Sequence, residues 1–156
     1  MSKNKTSQLK GAVFEWFIRN YLVNCGFRQV NPDNFLVYTA GPGLMVHGLG
    51  QPHNTDVLLE PPIQIPFYYP SRLIVECKGY KNEIGLPIVR NALGLREDIN
   101  NFDIVTPEIL KKRRNYRRTT NSIYPHKRYW YQVAVASIMC FGKPAQEFAI
   151  THRIPL

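Results

Sequence analysis

The sequence predicts one α/β domain in which a mixed β-sheet is covered by helices. Three observations carry this. An amphipathic helical stripe opens the chain, several short apolar runs of strand type follow, and two later helical stretches bracket a long apolar strand. The order is therefore helix, several strands, helix, strand, helix, which suits a mixed sheet with helices packed on it. A length of 156 residues, with 44% apolar and 20% charged residues, fits one globular domain and excludes a disordered chain.

Each element has a local reason. Over residues 11–24, Phe14, Phe17, Ile18, Tyr21 and Leu22 recur at helical spacing and form one apolar stripe, and Gly26 follows as a stop signal. Residues 27–30 and 35–39 are short β-type runs, separated by turn chemistry at 31–34. The glycine-rich stretch 41–53 is not a phosphate-cradling loop, because no Gly-Lys-Ser/Thr follows it. Residues 56–59 (DVLL) read as a short buried strand. The connection 60–71 carries Pro61, Pro62, Pro66 and Pro70 and so is no central strand. Residues 72–78 (RLIVECK) are a clear strand. Pro87 fits the first turn of a helix whose face is Ile88, Ala92, Leu95 and Ile99. Residues 131–141 form a long apolar strand. Residues 143–153 close as a helix with Ala145, Phe148, Ala149 and His152 on one side. The end, Ile154-Pro155-Leu156, looks like the opening of another strand, so the natural protein is expected to continue, with further domains beyond Leu156.

The longest apolar run, 133–141, falls far short of the roughly 20 residues a membrane helix needs. The polar start lacks a hydrophobic stretch of signal-peptide type. Cys25, Cys77 and Cys140 cannot all pair within one chain and show no CxxC spacing. They read as reduced, buried thiols of a cytoplasmic protein and not as a zinc site.

Charge is unevenly spread. The formal net charge is +9, and residues 111–128 hold eight basic residues and no acid: Lys111, Lys112, Arg113, Arg114, Arg117, Arg118, Lys127 and Arg128. The remainder carries 12 basic against 11 acidic residues and is nearly neutral. Such a block attracts polyanions and binds phosphates by counterion release. Tyr116, Tyr124, Tyr129 and Trp130 within or beside it can add base stacking. The blander alternative is a solvated loop.

One strand interrupts its own apolar run. In RLIVECK, Glu76 and Lys78 are spaced i, i+2 and share a face, while Cys77 points to the other. Asp56 opens another buried strand twenty residues earlier. If the two strands are neighbours, Asp56 and Glu76 come within reach of one ion, and carboxylates that close repel unless a cation sits between them. Carboxylate oxygens suit Mg²⁺, with the main-chain carbonyl of Cys77 as a further ligand. Lys78 would orient a water or offset phosphorane charge. Glu15, flanked by large apolar residues, would reach the same ion through water or hold a second one. The alternative is a strand-end acid paired with a base, Lys78 or Arg90; for Glu15 it is an ordinary solvated helix glutamate.

At these residues the sequence resembles the PD-(D/E)XK nuclease superfamily and, more narrowly, the Mrr-type restriction endonuclease catalytic domain. KGAVFE (10–15), followed by NCGF (24–27), resembles that family's first helix. GLGQPHNTDV (48–57) resembles its approach to the first metal-binding aspartate, and VECK (75–78) its Glu-x-Lys strand. IGLPIVRN (84–91) resembles the next helix, and 134–139 with 144–154 the last core strand and helix. The likeness covers most of residues 10–104 and 131–156. Thr55 stands where the superfamily name has proline, and the basic insertion 105–130 is longer than the family's usual connection.

The resemblance implies a restriction-endonuclease-like three-layer fold, a central mixed sheet flanked by helices. It implies that Asp56, Glu76 and Lys78 form the catalytic core with Glu15 as an accessory acid. Mg²⁺ would be held by Asp56, Glu76 and Cys77, and Mn²⁺ would substitute. His53 would contact a phosphate or water. The expected function is a Mg²⁺-dependent endonuclease acting on DNA in restriction or defence, with Arg90 and the basic block holding the backbone. Cutting both strands needs two active sites or two successive nicks, which points to a homodimer. The alternatives are a structure-specific junction resolvase and a catalytically silent DNA-binding module of the same fold.

Overall fold

In the computed structural model the described residues are 3–33, 36–40, 43–49, 51–79, 81–101 and 129–156. Helix α1 (Lys3–Asn24) starts earlier than its apolar periodicity predicts. It ends as expected: Gly26 takes a φ of 94°, and the Phe27 N–H reaches back to the Leu22 carbonyl at 3.1 Å. That left-handed residue is cheap only for glycine.

The strands are β1 (Arg28–Gln29), β2 (Val37–Ala40), β3 (Gly43–His47), β4 (Pro52–Thr55), β5 (Val57–Glu60), β6 (Ser71–Lys78) and β7 (Trp130–Ser137). They form two sheets. The larger, ordered β1-β5-β6-β7, is mixed: β5 pairs antiparallel with β1 and β6, and β6 runs parallel to β7. The smaller, β2-β3-β4, is antiparallel throughout. Helices α2 (Leu86–Asn101) and α3 (Lys143–His152) complete the described elements. The chain is thus α/β, with a mixed four-stranded sheet, a three-stranded sheet and three helices among the described residues.

The large sheet is covered on both faces because its strands are apolar on both. Val57, Leu59, Val75 and Cys77 pack against Phe14, Ile18 and Leu22 of α1. Leu58, Ile74, Val133 and Val135 pack with Val89 and Ala92 of α2 and Ala145 and Ala149 of α3. Alternation along each strand divides the two sets.

Several expectations are corrected. The α1 stripe divides: Phe14, Ile18 and Leu22 face the sheet, whereas Phe17 and Tyr21 are 56% and 59% exposed. The sheet covers only a narrow band of a straight helix, so a stripe that wide cannot bury its full width. The glycine-rich stretch supplies β3 and the first half of β4, which its irregular pattern hid. The last strand ends at Ser137, not 141, leaving Ile138, Met139 and Cys140 exposed. Cys25 and Cys140 are exposed and only Cys77 is buried; all three are free. The final residues run beside β7 through one hydrogen bond, Val135 N–H to the Pro155 carbonyl at 3.0 Å, with no strand formed. No helix among the described residues is long and apolar enough to cross a membrane.

The start of the β7 edge is closed by a side chain. Asn100, buried at the end of α2, donates to the Tyr131 carbonyl and accepts from the Tyr131 N–H, both at 2.8 Å. Its amide mimics a neighbouring strand. Asn100→Ala strands both groups in a buried setting, and the urea unfolding midpoint is expected to fall by the equivalent of about 1–3 kcal/mol.

Candidate functional site

The site is built where the chain passes from the small sheet to the large one. β4 ends at Thr55, whose hydroxyl donates to the Leu44 carbonyl at 3.0 Å, and β5 begins at Val57. Asp56 is the single residue between them. The β5–β6 ladder pairs Leu58 with Ile74. Two residues further in each direction, just beyond the paired residues, Glu60 meets Arg72 at 3.2 Å and Asp56 comes level with Glu76. Glu76 lies on the α2 side of the sheet, and Asp56 sits beside it at the end of the β5–β6 ladder.

Lys78 joins them. Its Nζ donates to Glu76 Oε2 at 2.9 Å and stands 3.9 Å from Asp56 Oδ2. That Asp56 oxygen also accepts the Cys77 backbone N–H at 2.7 Å. Each of the three side chains is about one-fifth exposed, so their attraction is only partly screened. The strand-end pairing with a base that the sequence allowed is realised here through Lys78. Glu76, Lys78, His53, Asn54, Ile88, Asn91, Ala92 and Leu95 line a cleft of about 330 Å³ between β4, β6 and α2. Asp56 borders a second hollow of about 360 Å³ that includes Arg19, Gln29 and Thr39.

α1 brings Glu15 to this group. The helix passes the end of β6 at van der Waals range, a Cβ on Gly79 standing 3.8 Å from the Gly11 Cα. Glu15, one turn further on, has its pKa raised, first by burial and then by Asp56. Arg19 and Lys78 oppose the shift, and Glu76 adds to it. Arg19 also donates to the Asp56 main-chain carbonyl at 3.0 Å. Three carboxylates thus face two cations, and the surplus of negative charge is felt at Glu15. Cys77, on the opposite face, has its thiol pushed up to about 12, by burial first and then by Asp56, Glu15 and Glu76. It is neutral and not a thiolate ligand.

Oxygen-rich, hard donors of this kind suit Mg²⁺ rather than a soft metal. Among the described residues, no three His, Cys, Asp or Glu side chains are gathered closely enough to form a ready ligand shell. The Lys78 ammonium occupies the ground between the two carboxylates.

His53 is brought to the same cleft, where its Nε2 lies 2.5 Å from Asp98 Oδ2. Arg90 is turned instead toward α3, its guanidinium 5.8 Å from the Phe148 ring. Lys111, Lys112, Arg113, Arg114, Arg117, Arg118, Lys127 and Arg128 lie outside the described residues. Sequence reasoning passed over Arg19, Asn91 and Asp98. Their signals were present: Arg19 is i+4 from Glu15, and Asn91 and Asp98 share the helical face of Leu95. Comparison with family models, with curated proteins and with solved structures gave no match.

The raised pKa of Glu15 has a signed consequence. The native state binds that proton more tightly than the unfolded chain, so stability falls as pH rises from the ordinary glutamate range through the raised value. Glu15→Gln removes the charge. It is expected to unfold at higher denaturant than the wild type at neutral pH, with the advantage vanishing below about pH 4, where the glutamate is protonated in both states.

Proposed function

We propose that the protein is a Mg²⁺-dependent endonuclease of restriction-endonuclease-like fold that hydrolyses DNA phosphodiester bonds in restriction or defence. The observation that carries this reading is the convergence of Asp56, Glu76 and Lys78, from the β4–β5 junction and the end of β6, with Glu76 and Lys78 lining an open cleft and Asp56 bordering the hollow next to it. Asp56 and Glu76 would hold the ion, with the Cys77 carbonyl beside them, and Mn²⁺ would substitute. When bound, the ion polarises a phosphate oxygen and lowers the pKa of a water.

The chain's own groups do the rest. Lys78 donates toward the attacking water or the phosphorane oxygens. Glu15, half-buried on α1, orders water at the rim. The eight basic residues of 111–128 supply sequence-independent attraction to the DNA backbone. A cytoplasmic location fits three free cysteines.

A homodimer would let two such sites act on the two strands. Leu9, Val13, Trp16, Phe17 and Tyr21 form an exposed ribbon along α1 at i, i+4, i+7, i+8 and i+12. A two-fold axis would pack this ribbon against its own copy. At more than half exposure, its three aromatics offer roughly 300–450 Å², a large part of the ~800 Å² per partner in a stable interface. Sedimentation is expected to show a dimer that Trp16→Glu converts to monomer; a monomeric wild type removes this assembly.

The nuclease reading is tested on duplex DNA with Mg²⁺. Lys78→Ala is expected to slow cleavage about 100- to 1,000-fold, and Asp56→Ala to abolish it, with DNA binding kept within about threefold because the basic segment dominates it. Cutting of four-way junctions but not linear duplex identifies a junction resolvase. A wild type that binds DNA but cuts nothing with Mg²⁺ or Mn²⁺ is a binding module.

A further inference from the structure

The cleft beside Lys78 holds a second polar pair that the reading above leaves without a task. His53 comes from β4 and Asp98 from α2, with side chains 22% and 26% exposed. A carboxylate can only accept, so the nitrogen that faces it, Nε2, carries the proton. Gly48 packs on the same edge of the ring: a Cβ there would meet Asp98 Oδ2, His53 Nε2 and His53 Cδ2, all closer than real contacts allow. The Nε2–Cδ2 edge is therefore closed off by Gly48 and Asp98. Nδ1 is the ring nitrogen opposite that bond, and His53 lines the cleft that Glu76 and Lys78 also line.

Phosphodiester hydrolysis needs a group that can take a proton from water. Lys78 cannot, since its ammonium already bonds Glu76 and neighbours Asp56. We propose that His53 is the proton acceptor of this site, with Asp98 as the residue that positions its ring. This inference rests on the nuclease reading and assigns one step within it. The O–H bond of the attacking water breaks and its proton passes to Nδ1. The water oxygen forms the new bond to phosphorus as the bond to the leaving oxygen breaks. The leaving oxygen takes a proton from solvent, and Nδ1 returns its own to solvent. The charged groups facing the ring are Asp98 from α2 and, across the cleft, Glu76 and Lys78 from β6. The alternative is a latch that only fastens β4 to α2.

His53→Gln separates the two, because the glutamine amide can still donate to Asp98. The expected result is a loss of roughly 100-fold or more in Mg²⁺-dependent duplex cleavage, with DNA binding retained. In His53→Gly, added imidazole is expected to restore cleavage, which a latch would not allow. Asp98→Asn offers an amide donor to Nε2, shifts the proton to Nδ1 and is expected to slow cleavage without loss of DNA binding. The ¹⁵N spectrum of the wild-type neutral imidazole, which needs no variant to fold, is expected to show Nε2–H with Nδ1 bare. A proton on Nδ1, or a His53→Gln that cuts like the wild type, overturns the inference alone. A wild type that cuts no DNA overturns it together with the nuclease reading.

Discussion

Antiparallel pairing of β5 with β6 is the constraint on which the site depends. Its register sets Glu60 against Arg72, Leu58 against Ile74 and Asp56 against Glu76, so a polar pair lies at each end of an apolar middle. A slip of β5 by one residue would send its side chains to the opposite face while β6 stayed paired with β7. Leu58 would then leave the core it shares with Ile74, Val133 and Val135, and Asp56 would no longer come level with Glu76. The hydrophobic core thereby holds the charges in place: the burial that favours the fold is also what keeps Asp56, Glu76 and Lys78 together.

Holding like charges this close has an energetic cost that the structure distributes. Lys78 offsets part of it directly, Arg19 bonds the Asp56 main chain, and the Cys77 N–H takes up one Asp56 oxygen. The remainder falls on Glu15, whose proton is held more tightly than in water, and on the Cys77 thiol. Burial is the larger cause at both groups, and the like-charge neighbours add to it. The same sheet makes a contrast at its other end. There Arg72 is satisfied by Glu60, the Tyr131 hydroxyl and the face of Tyr129, and the one carboxylate is met by two guanidinium groups, Arg72 and Arg28.

The cleft is shaped by the small sheet as much as by the large one. β4 carries His53 and Asn54 to its wall and delivers the chain to Asp56, while Gly48 gives Asp98 room to reach His53. This explains why a stretch that reads as irregular carries so much of the site. Its glycines and prolines weaken any strand pattern, yet the close approach at Gly48 admits no side chain, so the features that obscure the element also make the site possible.

Local chemistry was legible in the sequence. The face of α2, the stop at Gly26, the strand RLIVECK and the shared face of Glu76 and Lys78 all follow from periods of 3.6 and 2 and from glycine's freedom at positive φ. The oddity of two charges closing an apolar strand singled out Glu76 and Lys78, which the structure pairs at the wall of the cleft. What the sequence by itself did not determine was distance. Whether Asp56 meets Glu76 depends on β5 and β6 being neighbours in one register, and whether Asp98 meets His53 depends on α2 crossing β4. The split of α1 into a buried and an exposed stripe was likewise decided by how much of the helix the sheet can cover. Periodicity says which residues share a face; only packing says what that face touches.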